Sequence, residues 1–114
     1  MIEKLLEITR GFIHRFPEGN EPFQIMTRLL EESGELAQQI NHFEGSGVKM
    51  QKYGEPDKVK LVNEIGGVLH SALQIAIYYE AEQELETRLE EIYLRLKAEG
   101  HIQTPDPNPD EEPA

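Results

Sequence analysis

Cysteine is absent from this chain of 114 residues. That absence excludes disulfides, zinc–thiolate sites and a thiol nucleophile together. No apolar run approaches the ~20 residues a helix needs to span a bilayer. The segment from Met1 to Arg10 is amphipathic and carries acids, so neither a signal peptide nor a transit peptide is expected, and the expected location is the cytoplasm. Basic residues are scarce: 11 Lys and Arg stand against 22 Asp and Glu, a formal net charge of −11. Asp106, Asp110, Glu111 and Glu112 lie in the last fourteen residues, which leaves 18 acids and 11 bases before them, a balance of −7. Such a surface repels nucleic-acid backbone and anionic lipid, so neither a nucleic-acid polymer nor a membrane is expected as a partner. A free nucleotide remains admissible where a divalent cation supplies positive charge. Strand-like alternation is missing as well. So are a glycine-rich phosphate loop ending in Lys-Ser/Thr and the Glu-x-x-His of di-iron bundles. The serines and histidines suggest no Ser–His–Asp triad.

What remains is helical. The length suits one domain rather than two. At 38% hydrophobic residues the core is modest, and small helical domains often complete theirs by oligomerising. A first helix is expected from Ile2 to Phe16, with Leu5, Leu6, Ile8, Phe12 and Ile13 at helical spacing; Pro17 and Gly19 end it. A second starts at Pro22, a favourable first-turn residue, and runs to about Phe43. Gly45, Gly47 and Gly54 mark a loop. Pro56 opens a third helix, apolar through Leu61, Ile65, Val68, Leu69, Ala72, Ile75 and Ala76, and a fourth spans about Glu80 to Ala98 with Gly100 as its C-cap. The sequence leaves open whether the fourth continues the third or turns back near Glu80. The expected organisation is therefore a helical domain over residues 1–100 and a disordered, acidic, proline-rich tail over 101–114. His14, His42 and His70 are evenly spaced, but their surroundings differ and no repeat is inferred.

The chemistry-bearing residues are carboxylates. Each helical residue advances about 100°. With Glu32 at zero, Ile25, Phe43, Leu36, Leu29, Ile40, Met26, Ala37 and Leu30 fill roughly 20° to 160° of the second helix. Glu32 borders that arc, and Glu35 lies about 60° to its polar side, on the stripe shared by Arg28 and Gln39. Two carboxylates at i and i+3 can share a hard cation such as Mg²⁺. A glutamate-rich helix also yields Glu-x-x-Glu by chance, as a solvated face. On the third helix Glu64 again borders the apolar arc, with Lys60, Ser71 and Tyr78 near it. It can join Glu32 and Glu35, or form a surface pair with Lys60 one turn earlier.

The segment Leu30-Glu31-Glu32-Ser33-Gly34-Glu35-Leu36-Ala37 resembles the first motif of the MazG-like nucleotide pyrophosphohydrolases, an acid-rich E-E-x-G-E-L-A block. About thirty residues later that family has E-x-x-D-V-L, where this chain reads Glu64-Ile65-Gly66-Gly67-Val68-Leu69. Order, spacing and the intervening glycine-rich loop agree, over about residues 20 to 80. The resemblance implies an all-α bundle that cuts a nucleoside triphosphate to monophosphate and pyrophosphate. It further implies Mg²⁺, or Mn²⁺, held by acids of both blocks, and protomers paired as a homodimer or a tetramer of dimers. By position the metal ligands are Glu32, Glu35 and Glu64 and the catalytic acids Glu31 and Glu32; Arg28 and Lys60, which lie near these acids, are the candidates to bind substrate.

The departure is Gly67, which stands where the family has Asp and offers no ligand. Gly66 and Gly67 each cost the helix about 1 kcal/mol relative to alanine, so the pair is not there for helix stability. Asn63 and His70 lie on the far side of Gly67 and are not expected to replace it. The alternative function is thus a MazG-like bundle impaired in catalysis, acting as a nucleotide-binding or protein-interaction module. Tyr53, Tyr78 and Tyr79 are candidates to stack on a base, or packing residues at helix ends.

Overall fold

A computed structural model describes residues 1–45 and 49–103. Five helices follow in order: α1 (Ile2–Arg15), α2 (Pro22–Phe43), α3 (Lys49–Tyr53), α4 (Lys58–Tyr78) and α5 (Glu82–Ala98). No strand occurs among the described residues, so the chain is all-α. None of these helices is long and apolar enough to cross a membrane. Gly47 and the expected tail from residue 104 onward lie outside the described residues.

The helix ends follow local chemistry. Pro22 occupies the first turn of α2, and the Glu21 backbone N–H is satisfied by Gln24 Oε1 at 3.1 Å. Asp57 rather than Pro56 opens α4: its side chain accepts from the Val59 N–H at 2.8 Å. The segment expected as loop contains the short α3. His42, buried at the end of α2, donates from Nε2 to the Gly54 carbonyl at 2.6 Å and so ties that segment down.

The question left open at Glu80 resolves as a break. Glu80 has φ +53°, the Glu80 N–H donates to Ile77 O at 3.1 Å, and the Ala81 N–H donates to Ala76 O at 2.8 Å. This is a Schellman end with glutamate where glycine is usual. The same pattern closes α5 with Gly100 at φ +81°, as its position suggested.

The chain divides into two units, the first ending at Ala81 and the second beginning at Glu82. Within the first, α4 packs most extensively against α2 and next against α1. The buried set is small: Leu6, Ile25 and Leu73 with the polar Thr9, Gln39, His42, Ser71 and Gln74. The expected apolar arcs are only half used. Ile25 is 1% exposed, whereas Leu30 is 65%, Ile40 51% and Leu69 44% exposed, and Met26 and Ile65 are exposed too. On α2 the arc edge beside the acids is the buried one and the far edge is exposed; on α4 Ile65 and Leu69 are exposed, while Leu73 beyond them is buried. In the second unit α5 is an acidic helix whose Leu85, Ile92 and Leu96 are half-buried, with Leu89, Tyr93 and Leu94 exposed.

Candidate metal centre

Helices α2 and α4 bring the three acids together. Glu32, Glu35 and Glu64 each offer a carboxylate oxygen within 4.8 Å of the other two. Glu32 and Glu64 are half-buried and Glu35 is exposed. The i, i+3 spacing sets the first two one turn apart on α2, and the closeness of α2 to α4 supplies the third. Three carboxylate oxygens and nothing softer make a donor set for a hard cation that keeps water in its remaining positions. Glu64 forms no ion pair with Lys60. The Lys60 ammonium lies 5.9 Å from the centre of the Tyr53 ring, with Lys52 on the same ring at 5.4 Å.

Gly67 belongs to this site. A Cβ built there would lie 2.7 Å from Glu32 Cδ and 3.4 Å from Glu32 Cγ. The absent side chain leaves the space into which the Glu32 carboxylate folds. Gly66, its neighbour, has nothing within 4 Å of such a Cβ, so only one glycine of the pair serves this contact.

The three acids line a cavity of about 560 Å³. Its α1 wall carries Phe12, Ile13 and Phe16, and its α4 wall carries Asn63, Gly67, His70 and Gln74. Arg28 lines it from α2; its Nη2 donates to the Gly19 carbonyl at 2.7 Å, while its buried Nε has no hydrogen-bond partner. Two relays cross from α4 to α1. His70 Nδ1 lies 3.2 Å from Thr9 Oγ1, whose hydroxyl donates to Leu5 O at 2.8 Å. Gln74 Nε2 donates to Asn20 Oδ1 at 2.6 Å, and Asn20 Nδ2 donates to Phe16 O at 2.9 Å. The His70 and Phe12 rings meet edge to face at 5.3 Å.

The remaining sequence candidates lie elsewhere. Glu31 is exposed and lines a smaller cleft with Phe23, Gln24, Thr27 and Arg28. Neither Lys60 nor any of Tyr53, Tyr78 and Tyr79 lines the larger cavity. Tyr78 and Tyr79 pack edge to face at 5.1 Å, and Tyr78 donates its hydroxyl to Glu21 Oε2 at 3.4 Å. The Glu21 carboxylate raises the Tyr78 phenol above its ordinary value. Sequence reasoning missed the contribution of α1. Thr9 gave a signal, since it interrupts the apolar arc between Leu5 and Ile13 and is only 1% exposed. His70 and Asn63, set aside as facing away from Gly67, both line the cavity.

Fold and site define an all-helical protein with a three-carboxylate cluster able to hold a metal ion. The chain is 38% identical over 86 residues to the uncharacterized protein YpjD of Bacillus subtilis (strain 168), across 75% of this chain and 69% of that protein. It belongs to the YpjD family. No protein-family model and no solved structure matches it.

Proposed function

We propose that this protein is a Mg²⁺-dependent nucleotide pyrophosphohydrolase of MazG-like type, converting a nucleoside triphosphate and water to the monophosphate and pyrophosphate. The observation that carries this reading is the convergence of Glu32, Glu35 and Glu64 within 4.8 Å in the wall of a cavity that is aromatic on its α1 side. Water adds to the α-phosphorus, the α–β anhydride bond breaks, and pyrophosphate leaves. When bound, Mg²⁺ supplies charge neutralisation at the phosphate oxygens and activation of the water. Glu32, Glu35 and Glu64 would hold it, and Glu32, whose carboxylate lies against Gly67, would take the proton of the water. The unpartnered Nε of Arg28 suits a phosphate oxygen, since a buried N–H without an acceptor gains most from an anionic one.

The apolar edge formed by Met26, Leu30, Ile40, Ile65 and Leu69 supports pairing with a second copy, as a homodimer or a tetramer of dimers. Burying such side chains stabilises an assembly by about 1.5–3 kcal/mol each when fully covered.

Gly67 favours a second reading, a bundle that binds nucleotide but hydrolyses it poorly, because among the described residues no fourth acid joins Glu32, Glu35 and Glu64. Two measurements separate the two: pyrophosphate release from a panel of nucleoside triphosphates, and calorimetric binding of the same nucleotides, each with Mg²⁺ or Mn²⁺ and for the parent and Glu64→Gln. Release by the parent that Glu64→Gln abolishes supports hydrolysis. Metal-dependent binding without release supports the second reading. Neither binding nor release from any nucleotide ends both.

A further inference from the structure

The two relays between α4 and α1 have a fixed polarity, because each ends on a backbone carbonyl that can only accept. Thr9 has one hydroxyl proton and gives it to Leu5 O at 2.8 Å, so at the longer contact Thr9 accepts and His70 Nδ1 donates. Phe16 O accepts from Asn20 Nδ2, which turns Asn20 Oδ1 toward Gln74 and makes Gln74 Nε2 the donor. His70 and Gln74 stand one turn apart on α4, and each directs an N–H away from it, His70 to Thr9 of α1 and Gln74 to Asn20 between α1 and α2. A neutral ring with its proton on Nδ1 presents Nε2 as an acceptor, and an amide that donates from Nε2 keeps Oε1 as another. Neither atom has a partner among the described residues, and both side chains line the cavity beside Phe12 and Phe16. With the ring neutral, two residues that line the cavity each carry an unpartnered acceptor, on the same cavity as the Phe12 and Phe16 wall.

We propose that His70 Nε2 and Gln74 Oε1 read the exocyclic amino group of a nucleobase, making adenine- or cytosine-bearing nucleoside triphosphates the substrates over their deaminated counterparts. The assignment rests on the pyrophosphohydrolase reading and names its substrate class. An amino group brings two N–H donors on one atom to two acceptors, while the flat ring meets the phenylalanines. A carbonyl in the same place would set lone pairs against lone pairs and leave both acceptors unpaired, which is the discrimination a polar site makes best. Vicinal ribose hydroxyls carry the same donors without a flat apolar face. Thr9 and Asn20 are positioning residues that hold the polarity.

The test compares kcat/KM, with Mg²⁺, for ATP against ITP, CTP against UTP, and ATP against dATP. Nitrogen-15 NMR of the His70 ring, recorded above the ordinary histidine titration range, reports its tautomer. Expected are a preference of roughly tenfold or more for each amino-bearing base, little difference between ATP and dATP, and a proton on Nδ1. Thr9→Val removes the acceptor that fixes the tautomer and should shrink the ATP-to-ITP ratio while circular dichroism stays helical. If that variant does not fold, His70→Phe carries the same comparison. Equal turnover within the base pairs, a preference that follows the ribose instead, or a proton on Nε2 overturns the proposal. Turnover without amino preference removes this assignment alone. Absence of turnover and of binding for every nucleotide removes the pyrophosphohydrolase reading and this proposal with it.

Discussion

Gly67 on α4 stands against the carboxylate end of Glu32 on α2, with room between them for no side chain: an added Cβ would sit 2.7 Å from Glu32 Cδ. The glycine that stands where a further carboxylate was expected also leaves the space in which the Glu32 carboxylate lies. Both descriptions hold at once, because the position faces the site.

Substitutions at 67 separate the two roles. Gly67→Ala forces the flexible end of Glu32 to swing aside and adds no ligand, so Mg²⁺ affinity should fall about tenfold, the scale of disturbing a ligand's surroundings. Gly67→Asp displaces Glu32 in the same way but returns a carboxylate beside Glu64, and should bind Mg²⁺ more tightly than the parent. Titration calorimetry with both variants decides it. Equal affinities for alanine and aspartate would show that position 67 adds nothing to coordination.

The acid cluster carries its own stability signature. Three carboxylates within 4.8 Å repel one another without a cation, so Glu64→Gln should raise the melting temperature in chelator. With Mg²⁺ at a hundred times its Kd the parent gains about 2.7 kcal/mol, and Glu64→Gln should gain almost nothing. A variant that keeps the full metal-induced shift would place the cation elsewhere.

The outward edge of the apolar arcs predicts association. Leu69 is 44% exposed and Leu30 65% in the single chain. Leu69→Lys places an ammonium in that stripe and should convert the assembly to monomers at micromolar concentration, read by sedimentation equilibrium. A parent that sediments as a monomer already would remove the basis for pairing through this face.

Tyr78 gives a pH prediction of definite sign. Its phenol titrates above the ordinary 10.0 because ionising it would set a second negative charge beside Glu21. The contact therefore favours the folded state below the ordinary tyrosine value, and that contribution is lost as pH rises through the raised folded-state value. Both side chains are exposed, so the effect on stability is small. Glu21→Gln should bring the phenolate titration of Tyr78 down toward the ordinary value, followed by ultraviolet absorbance. An unchanged curve would mean that the 3.4 Å contact does not persist in solution.

Helical periodicity, Pro22, and Gly100 after Ala98 set the rough extent of the long helical stretches, because those signals act within a turn or two of chain. The edge position of Glu32, Glu35 and Glu64 was legible for the same reason: angle around a helix follows from spacing alone. Spacing specifies a face but not what covers it. Only the packing of α4 on α2 and α1 decided that the acid-side edge of the α2 arc turns inward and that Met26, Leu30, Ile65 and Leu69 stay outside. The break at Glu80 was equally hidden, since a non-glycine residue at φ +53° leaves no local mark and is held by the Ala76 and Ile77 carbonyls. The cavity wall formed by Thr9 and Phe12 of α1 and by Asn20 between α1 and α2 depends on contacts between residues 54 and 61 positions apart in the chain. No motif in a single sequence records such contacts, because they exist only once the helices have closed on one another.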